Sequence, residues 1–79
     1  MKIYSLRSMR INLGLTLEEA SKLIGVSKYT LYNYEHFKTM PNQERILRIM
    51  KAYDVNYNEI RFTPNKKEKL AMKKWRSIM

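Results

Sequence analysis

The chain has 79 residues, enough for one small domain. It contains no cysteine, which excludes disulfides, thiol catalysis and thiolate metal sites and is compatible with a reducing compartment. Sixteen Lys and Arg against seven Asp and Glu give a net charge of +9. A balance this basic favours a polyanionic partner, nucleic acid ahead of a membrane surface, over lysines that only keep the domain soluble.

The apolar residues form no long run. None approaches the roughly 20 residues that cross a bilayer, and the first ten residues lack the apolar core of a signal peptide. We therefore expect a cytoplasmic protein with no membrane partner. The charge is uneven, because residues 65–79 carry six basic and one acidic side chain, a net +5.

Helical periodicity and caps predict three helices in the first half of the chain. The expected helices run from Tyr4 to Asn12, from the Thr16–Glu19 capping box to Gly25, and from Lys28 to about Glu35. Ser27 is the expected cap of the third helix, and Gly14 and Gly25 suit helix ends with positive φ. No strand-like alternation is sustained, so we expect an all-α fold.

Three further helical segments are predicted beyond the loop at Pro41. They run from the Asn42 cap to Tyr53, from a second capping box at Asn56–Glu59 through Ile60 to about Phe62, and from a Thr63 cap with Pro64 in the first turn. In the last segment Ala71, Trp75 and Ile78 are spaced as on one helix face, among many lysines. It predicts a basic amphipathic helix or tail. We expect a domain over residues 1–62 and an appended segment over 63–79.

The pattern from Leu6 to Ile60 resembles the phage-repressor and Cro-like, or XRE, helix-turn-helix family. The matching residues are Arg10, Thr16, Glu18, Glu19, Gly25, Val26, Ser27, Leu31, Glu35, Pro41, Ile46 to Tyr53, Val55 and Ile60. The resemblance implies a five-helix, lambda-repressor-like domain in a bacterial or phage-infected cell. It also implies an internal ion pair between Arg10 and Glu35.

The resemblance further implies a transcriptional regulator that binds a double-stranded DNA operator, with a homodimer as a further expectation. Its third helix is expected in the major groove, with Lys28, Tyr29 and Asn33 on base edges. The remaining expected recognition residues lie where they would contact the DNA backbone or the edge of the recognition surface. They are Leu17, Ser27, Tyr32, Lys38 and Thr39.

Several residues depart from the family pattern. Leu17 replaces a common Gln, a basic loop position is Met40, and Phe37 replaces a Gly that follows the recognition helix. A bulky residue at positive φ is strained, so we expect His36 to take the left-handed conformation instead. Apolar residues at these positions, with Tyr29 and Tyr32, also predict an exposed apolar surface. The alternative function is therefore an antirepressor-like modulator that binds a partner repressor protein.

Catalytic and cofactor motifs are absent from the sequence. Its single histidine, His36, falls in a loop, and adjacent Glu18 and Glu19 point in different directions on a helix. No phosphate-binding glycine loop or metal-ligand cluster is present. We expect no enzyme activity, no metal and no cofactor.

Overall fold

A computed structural model describes residues 3–71. Its elements, in chain order, are strand β1 (Tyr4–Ser5), helices α1 (Leu6–Asn12), α2 (Leu17–Ile24), α3 (Lys28–Glu35) and α4 (Gln43–Tyr53), a 3₁₀ helix (Tyr57–Glu59), strand β2 (Ile60–Arg61) and a helix, α5, described over residues 66–71. The architecture is mostly helical, as the sequence predicts. Residues 72–79 of the predicted basic C-terminal segment, which include Trp75 and Ile78, lie outside the described residues.

Each of the first four α-helices begins with a side-chain cap. The capping residues are Ser5, Thr16, Ser27 and Asn42, and each accepts a hydrogen bond from the backbone N–H three residues later. At α2 the cap is reciprocal, because Glu19 also accepts from the Thr16 N–H at 2.9 Å. These hydrogen bonds lower the pKa of Glu19. The predicted start of α2 is confirmed.

A left-handed residue follows each of these helices. Gly14, Gly25, Phe37 and Asp54 have φ values of 73°, 86°, 58° and 53°. After α3, the Phe37 N–H donates to the Tyr34 carbonyl at 3.3 Å and the Lys38 N–H donates to the Asn33 carbonyl at 2.9 Å. This pair of bonds is the Schellman motif, which satisfies carbonyls that the helix leaves open. The chain therefore turns sharply at the end of α3.

The core combines apolar residues from α1 to α4 with two residues that follow the 3₁₀ helix. Its members are Leu6, Met9, Ala20, Ile24, Leu31, Tyr34, Ile49, Tyr53, Ile60 and Phe62. Leu6, Leu31 and Ile49 are the largest fully buried side chains. Because Leu31 lies at the centre of α3, the core fixes the rotation of this helix and decides which face is exposed.

The mostly helical fold is confirmed, but two short strands shift the predicted helix bounds at both ends of the domain. Tyr4 and Ser5 are extended and pair in parallel with Ile60 and Arg61, so α1 begins at Leu6 and not at Tyr4. The predicted fifth helix likewise stops at Glu59, because Ile60 is extended (φ −133°, ψ 144°) and buried. Two-residue strands are too short to produce an alternating pattern that sequence analysis detects.

The predicted start of the last segment is also wrong. Asn65, and not Thr63, caps α5: its side chain accepts from the Glu68 N–H at 2.8 Å, and Glu68 accepts from the Asn65 N–H at 2.9 Å. Glu68 also forms an ion pair with Arg61 of β2. A reciprocal capping box outweighs the single hydroxyl of Thr63, which moves the helix start beyond Pro64.

Candidate nucleic-acid interface

The start of α3 is held by the turn from α2. Gly25 provides the left-handed turn, and the Ser27 hydroxyl accepts from the Thr30 N–H at 3.0 Å and donates to the Thr30 hydroxyl at 2.8 Å. Behind this turn, Ala20 is fully buried and Ser21 nearly so, which lets α2 and α3 approach closely. The first turn of α3 is therefore rigid, while its outer face is open.

Three predicted recognition residues are exposed on that face. Lys28 lies on the surface, Tyr29 is 72 % exposed and Tyr32 is 38 % exposed. Together with half-buried Leu17 they line one shallow depression, which we call the recognition depression. Leu17 also packs against the core and contributes an apolar side chain to the lining of the depression.

Asn33 occupies a different environment from Lys28 and Tyr29. It is half-buried, and its Oδ1 atom is buried with no hydrogen-bond partner among the described residues. Bidentate contact with adenine requires both the carbonyl oxygen and the amino group of the amide. Asn33 must therefore rotate before it can make such a contact.

A stack of side chains fixes the ring of Tyr32. The His36 ring lies 3.9 Å from it, centroid to centroid, and Nδ1 of His36 is 2.9 Å from the Tyr32 carbonyl oxygen. The ammonium of Lys38 lies 5.3 Å from the centroid of the same ring, a cation–π distance. Lys38 and Thr39 are both exposed in the following loop. His36 is therefore an additional residue of this surface, and its i, i+4 spacing from Tyr32 is the sequence signal that points to it.

An ion pair joins α1 to the end of α3. Nε and Nη2 of Arg10 donate to the two carboxylate oxygens of Glu35 at 2.7 and 3.0 Å. The Glu35 side chain is only 2 % exposed, and the hydrogen bond to it raises the pKa of Arg10. Nη1 of Arg10 also donates to the Leu15 carbonyl at 3.0 Å. The structure thus contains the ion pair that the family resemblance implies.

Two arginines of α4 contact the helix-turn-helix unit, one at α3 and one at the turn that precedes it. Arg45 donates to the buried hydroxyl of Tyr34 in α3 at 2.6 Å. Arg48 lies 3.5 Å from the Gly25 carbonyl and donates to Glu44 at 2.7 Å. Neither contact is predictable from the sequence, because the two contacts join residues 11 and 23 positions apart.

Phe37 itself has the left-handed conformation, which corrects the expectation that His36 would take it. His36 has φ −97° and ends the helix, whereas Phe37 has φ 58°. The half-buried Phe37 side chain lines a second cavity, which we call the α1–α3 groove. Its lining includes Ser8, Ile11, His36, Phe37, Glu68 and Ala71.

The predicted apolar surface is therefore divided. Leu17, Tyr29 and Tyr32 line the recognition depression, whereas Phe37 lines the α1–α3 groove. Met40 is 59 % exposed in the loop and lines neither. His36 connects the two regions, because it stacks on Tyr32 and also lines the groove.

Within residues 3–71, no group of three or more His, Cys, Asp or Glu side chains is arranged to hold a metal ion. No helix in the same range is long and apolar enough to cross a membrane.

Comparison with known proteins agrees with this geometry. A helix-turn-helix family profile matches residues 6–60, which contain α1 to α4, the 3₁₀ helix and the Arg10–Glu35 pair. A comparison with curated proteins found no significant match. The matched family consists of DNA-binding regulators. Since the match covers more than half of the chain, this protein belongs to the XRE, or Cro-like, helix-turn-helix family.

Proposed function

We propose that this protein is a sequence-specific transcriptional regulator of the phage repressor or Cro type, acting in the cytoplasm. The observation that carries the proposal is the exposure of Lys28 and Tyr29 on the first turn of α3, which Ser27 caps and the core orients. In major-groove docking, the N-terminal residues of the recognition helix contact base edges. We assign this role to α3.

The exposed side chains suit different parts of a base pair. The Lys28 ammonium can donate to guanine O6 and N7, and the Tyr29 ring can contact a thymine methyl group. Asn33 can contact adenine after its side chain rotates and frees Oδ1. We propose that these three residues determine the sequence preference.

A second set of residues would contact the sugar-phosphate backbone of the operator. Ser27, Tyr32, Lys38 and Thr39 border the exposed face of α3, and such contacts position a protein without specifying sequence. We propose that residues 1–62 form the operator-binding domain and residues 63–79 an appended basic segment. A homodimer would place two α3 helices on half-sites about 34–36 Å apart.

A partner repressor protein is the second candidate ligand for this surface. The recognition depression favours it, because Leu17 is apolar and the rings of Tyr29 and Tyr32 are exposed. Aromatic residues around an apolar centre are typical of protein interfaces. On this hypothesis the same depression would bind an apolar side chain of the partner.

A titration with fluorescein-labelled genomic DNA fragments at two salt concentrations tests the leading proposal. Specific binding should select a subset of fragments and weaken steeply as salt rises. Lys28→Gln should weaken binding to the selected fragment by about 1–3 kcal/mol and relax its sequence preference. If no fragment is preferred and the protein co-purifies with another repressor, the partner-binding function replaces operator binding.

Paired substitutions at Leu17 separate the two candidates directly. Leu17→Gln would keep or improve DNA affinity, since an amide can donate to phosphate, whereas Leu17→Asp would weaken it by charge repulsion. An apolar protein interface would lose affinity with both variants. Leu17 is half-buried, so its substitution can also affect folding. Thermal unfolding of each variant is the control that checks that the compared proteins are folded.

A further inference from the structure

The short helix α5 has one face against the domain and one face free. Glu68 forms the ion pair with Arg61, and Ala71, three residues later, lines the α1–α3 groove. These two residues mark the inward face. Hydrogen bonds from the Arg61 side chain and the Asn65 backbone outweigh the effect of burial and lower the pKa of Glu68. The carboxylate therefore stays charged at neutral pH and anchors α5.

The free face of α5 is basic. Lys66, Lys67 and Lys69 are all exposed, and the remaining outward residue, Leu70, is 61 % exposed. No described acidic side chain forms an ion pair with any of the three lysines. Three cations on two turns of helix repel one another, so this face is best stabilised by an anionic partner.

The groove places α5 beside the C-terminal end of the recognition helix. Glu68 and Ala71 of α5 share the α1–α3 groove with His36 and Phe37, which directly follow α3. Since α3 has eight residues, its two ends are about 12 Å apart at 1.5 Å per residue. A major groove is about 12 Å wide between its flanking backbones. When the first turn of α3 contacts bases, the C-terminal end of α3 and the neighbouring α5 therefore lie towards one of the flanking phosphate strands.

We propose that the free face of α5 binds the sugar-phosphate backbone of DNA and extends the footprint of α3. This inference rests on the proposed operator-binding function. It adds a contact outside the segment that the family profile matches, which ends at residue 60. The Glu68–Arg61 ion pair holds α5 on the domain. The contact of its lysines with DNA is sequence-independent, because an ammonium group meets phosphate as a point charge. DNA is favoured over a membrane surface, because a membrane-binding helix needs an apolar face and, within residues 66–71, α5 exposes one large apolar side chain, Leu70, among its lysines.

The experiment compares the full chain with two double variants of equal charge change. Lys66→Gln/Lys69→Gln removes one edge of the basic face, whereas Lys22→Gln/Lys51→Gln removes two exposed lysines from α2 and α4. The affinity for a selected fragment and for a scrambled fragment is measured from 50 to 200 mM salt. Each phosphate contact contributes about 0.9 to the slope of log K against log salt.

The proposal expects the slope to fall by roughly 1 to 2 in the α5 variant and by less than about 0.5 in the control. Both DNA fragments should lose affinity alike, leaving sequence preference unchanged. An α5 variant with the wild-type slope, or with the same decrease as the control, overturns the α5 contact and leaves the operator-binding function intact. If wild-type protein shows no salt-dependent binding to DNA, both proposals fail. Binding of the wild type, but not of the α5 variant, to anionic phosphatidylserine vesicles with no change in the DNA slope would assign the face to a membrane instead.

Discussion

Arg10 and Glu35 form a bidentate ion pair whose carboxylate is almost completely buried, with N–O distances of 2.7 and 3.0 Å. The pair joins α1 to the last residue of α3, so the angle of the recognition helix depends on it. A buried pair of this kind can add little net stability, although the loss of one partner leaves a buried charge without compensation.

We therefore predict that Glu35→Leu and Arg10→Met each destabilise the domain by about 3 kcal/mol or more. The double variant Arg10→Met/Glu35→Leu should recover much of this loss, because no buried charge remains. Urea unfolding monitored by circular dichroism measures all three. Glu18→Gln is the control, since its pair with Lys22 spans 3.7 Å between exposed side chains and should contribute less than about 0.5 kcal/mol. Additive losses in the double variant would show that the pair does not act as a unit.

The left-handed Phe37 allows a comparison that separates backbone strain from packing. Phe37→Gly and Phe37→Ala both remove the ring from the α1–α3 groove, but only glycine adopts φ 58° without strain. We expect the glycine variant to be more stable than the alanine variant by on the order of 0.5–1 kcal/mol, after the extra flexibility of unfolded glycine is included. Thermal unfolding of the two proteins tests this. Equal stability would mean that the loop changes its path when the ring is removed.

Ser27 combines a structural role with a position on the proposed DNA surface. Ser27→Ala removes the cap of α3 and should cost about 1 kcal/mol of stability. Ser27→Asp keeps the cap and should unfold like the wild type, yet its negative charge should weaken DNA affinity at least several-fold. Unfolding curves and fluorescence anisotropy on the same samples give both quantities. Wild-type DNA affinity in the aspartate variant would remove Ser27 from the interface.

We predict that ionisation of Tyr53 destabilises the folded domain in alkali. Burial raises the pKa of Tyr53 to about 12, the Glu35 carboxylate adds to the shift and Arg10 opposes it. Because the folded pKa lies above the value near 10 of an unfolded tyrosine, the folded state holds the proton more tightly. The stability linked to Tyr53 is thus complete below pH 10 and is lost as pH rises towards 12.

Tyr53→Phe should abolish this pH dependence. The Tyr53 hydroxyl has no partner among the described residues, so its removal at neutral pH should be neutral or stabilising by up to about 1 kcal/mol. Between pH 10 and 12 the variant should gain on the order of 1–2 kcal/mol relative to wild type. Urea midpoints across this range measure the difference, with Tyr57→Phe as an exposed control. A difference that does not change with pH would contradict the prediction.

Local signals explain what the sequence could predict. The Thr16–Glu19 box, the Ser27 cap and the left-handed Gly25 each depend on neighbouring residues, and the helices they delimit lie where their patterns indicate. The pairing of Arg10 with Glu35 joins distant residues and was accessible only through the family resemblance.

Contacts between distant segments explain what the sequence could not predict. The β1–β2 pairing, the placement of Phe37 away from the recognition depression and the Arg45–Tyr34 hydrogen bond all depend on packing between elements. The same applies to Asn33. An asparagine is suited to base contact, but the burial of its Oδ1 atom is not predictable from the sequence.

The parallel pairing of Tyr4 with Ile60 has a consequence for synthesis on the ribosome. These partners are 56 positions apart, and Ile60 and Phe62 complete the core. A nascent chain can form its first four helices early, but β1 has no partner until residues beyond Arg61 have left the exit tunnel. Pairing of β1 with β2 is therefore a late step in folding of the domain, after the helices between them have formed.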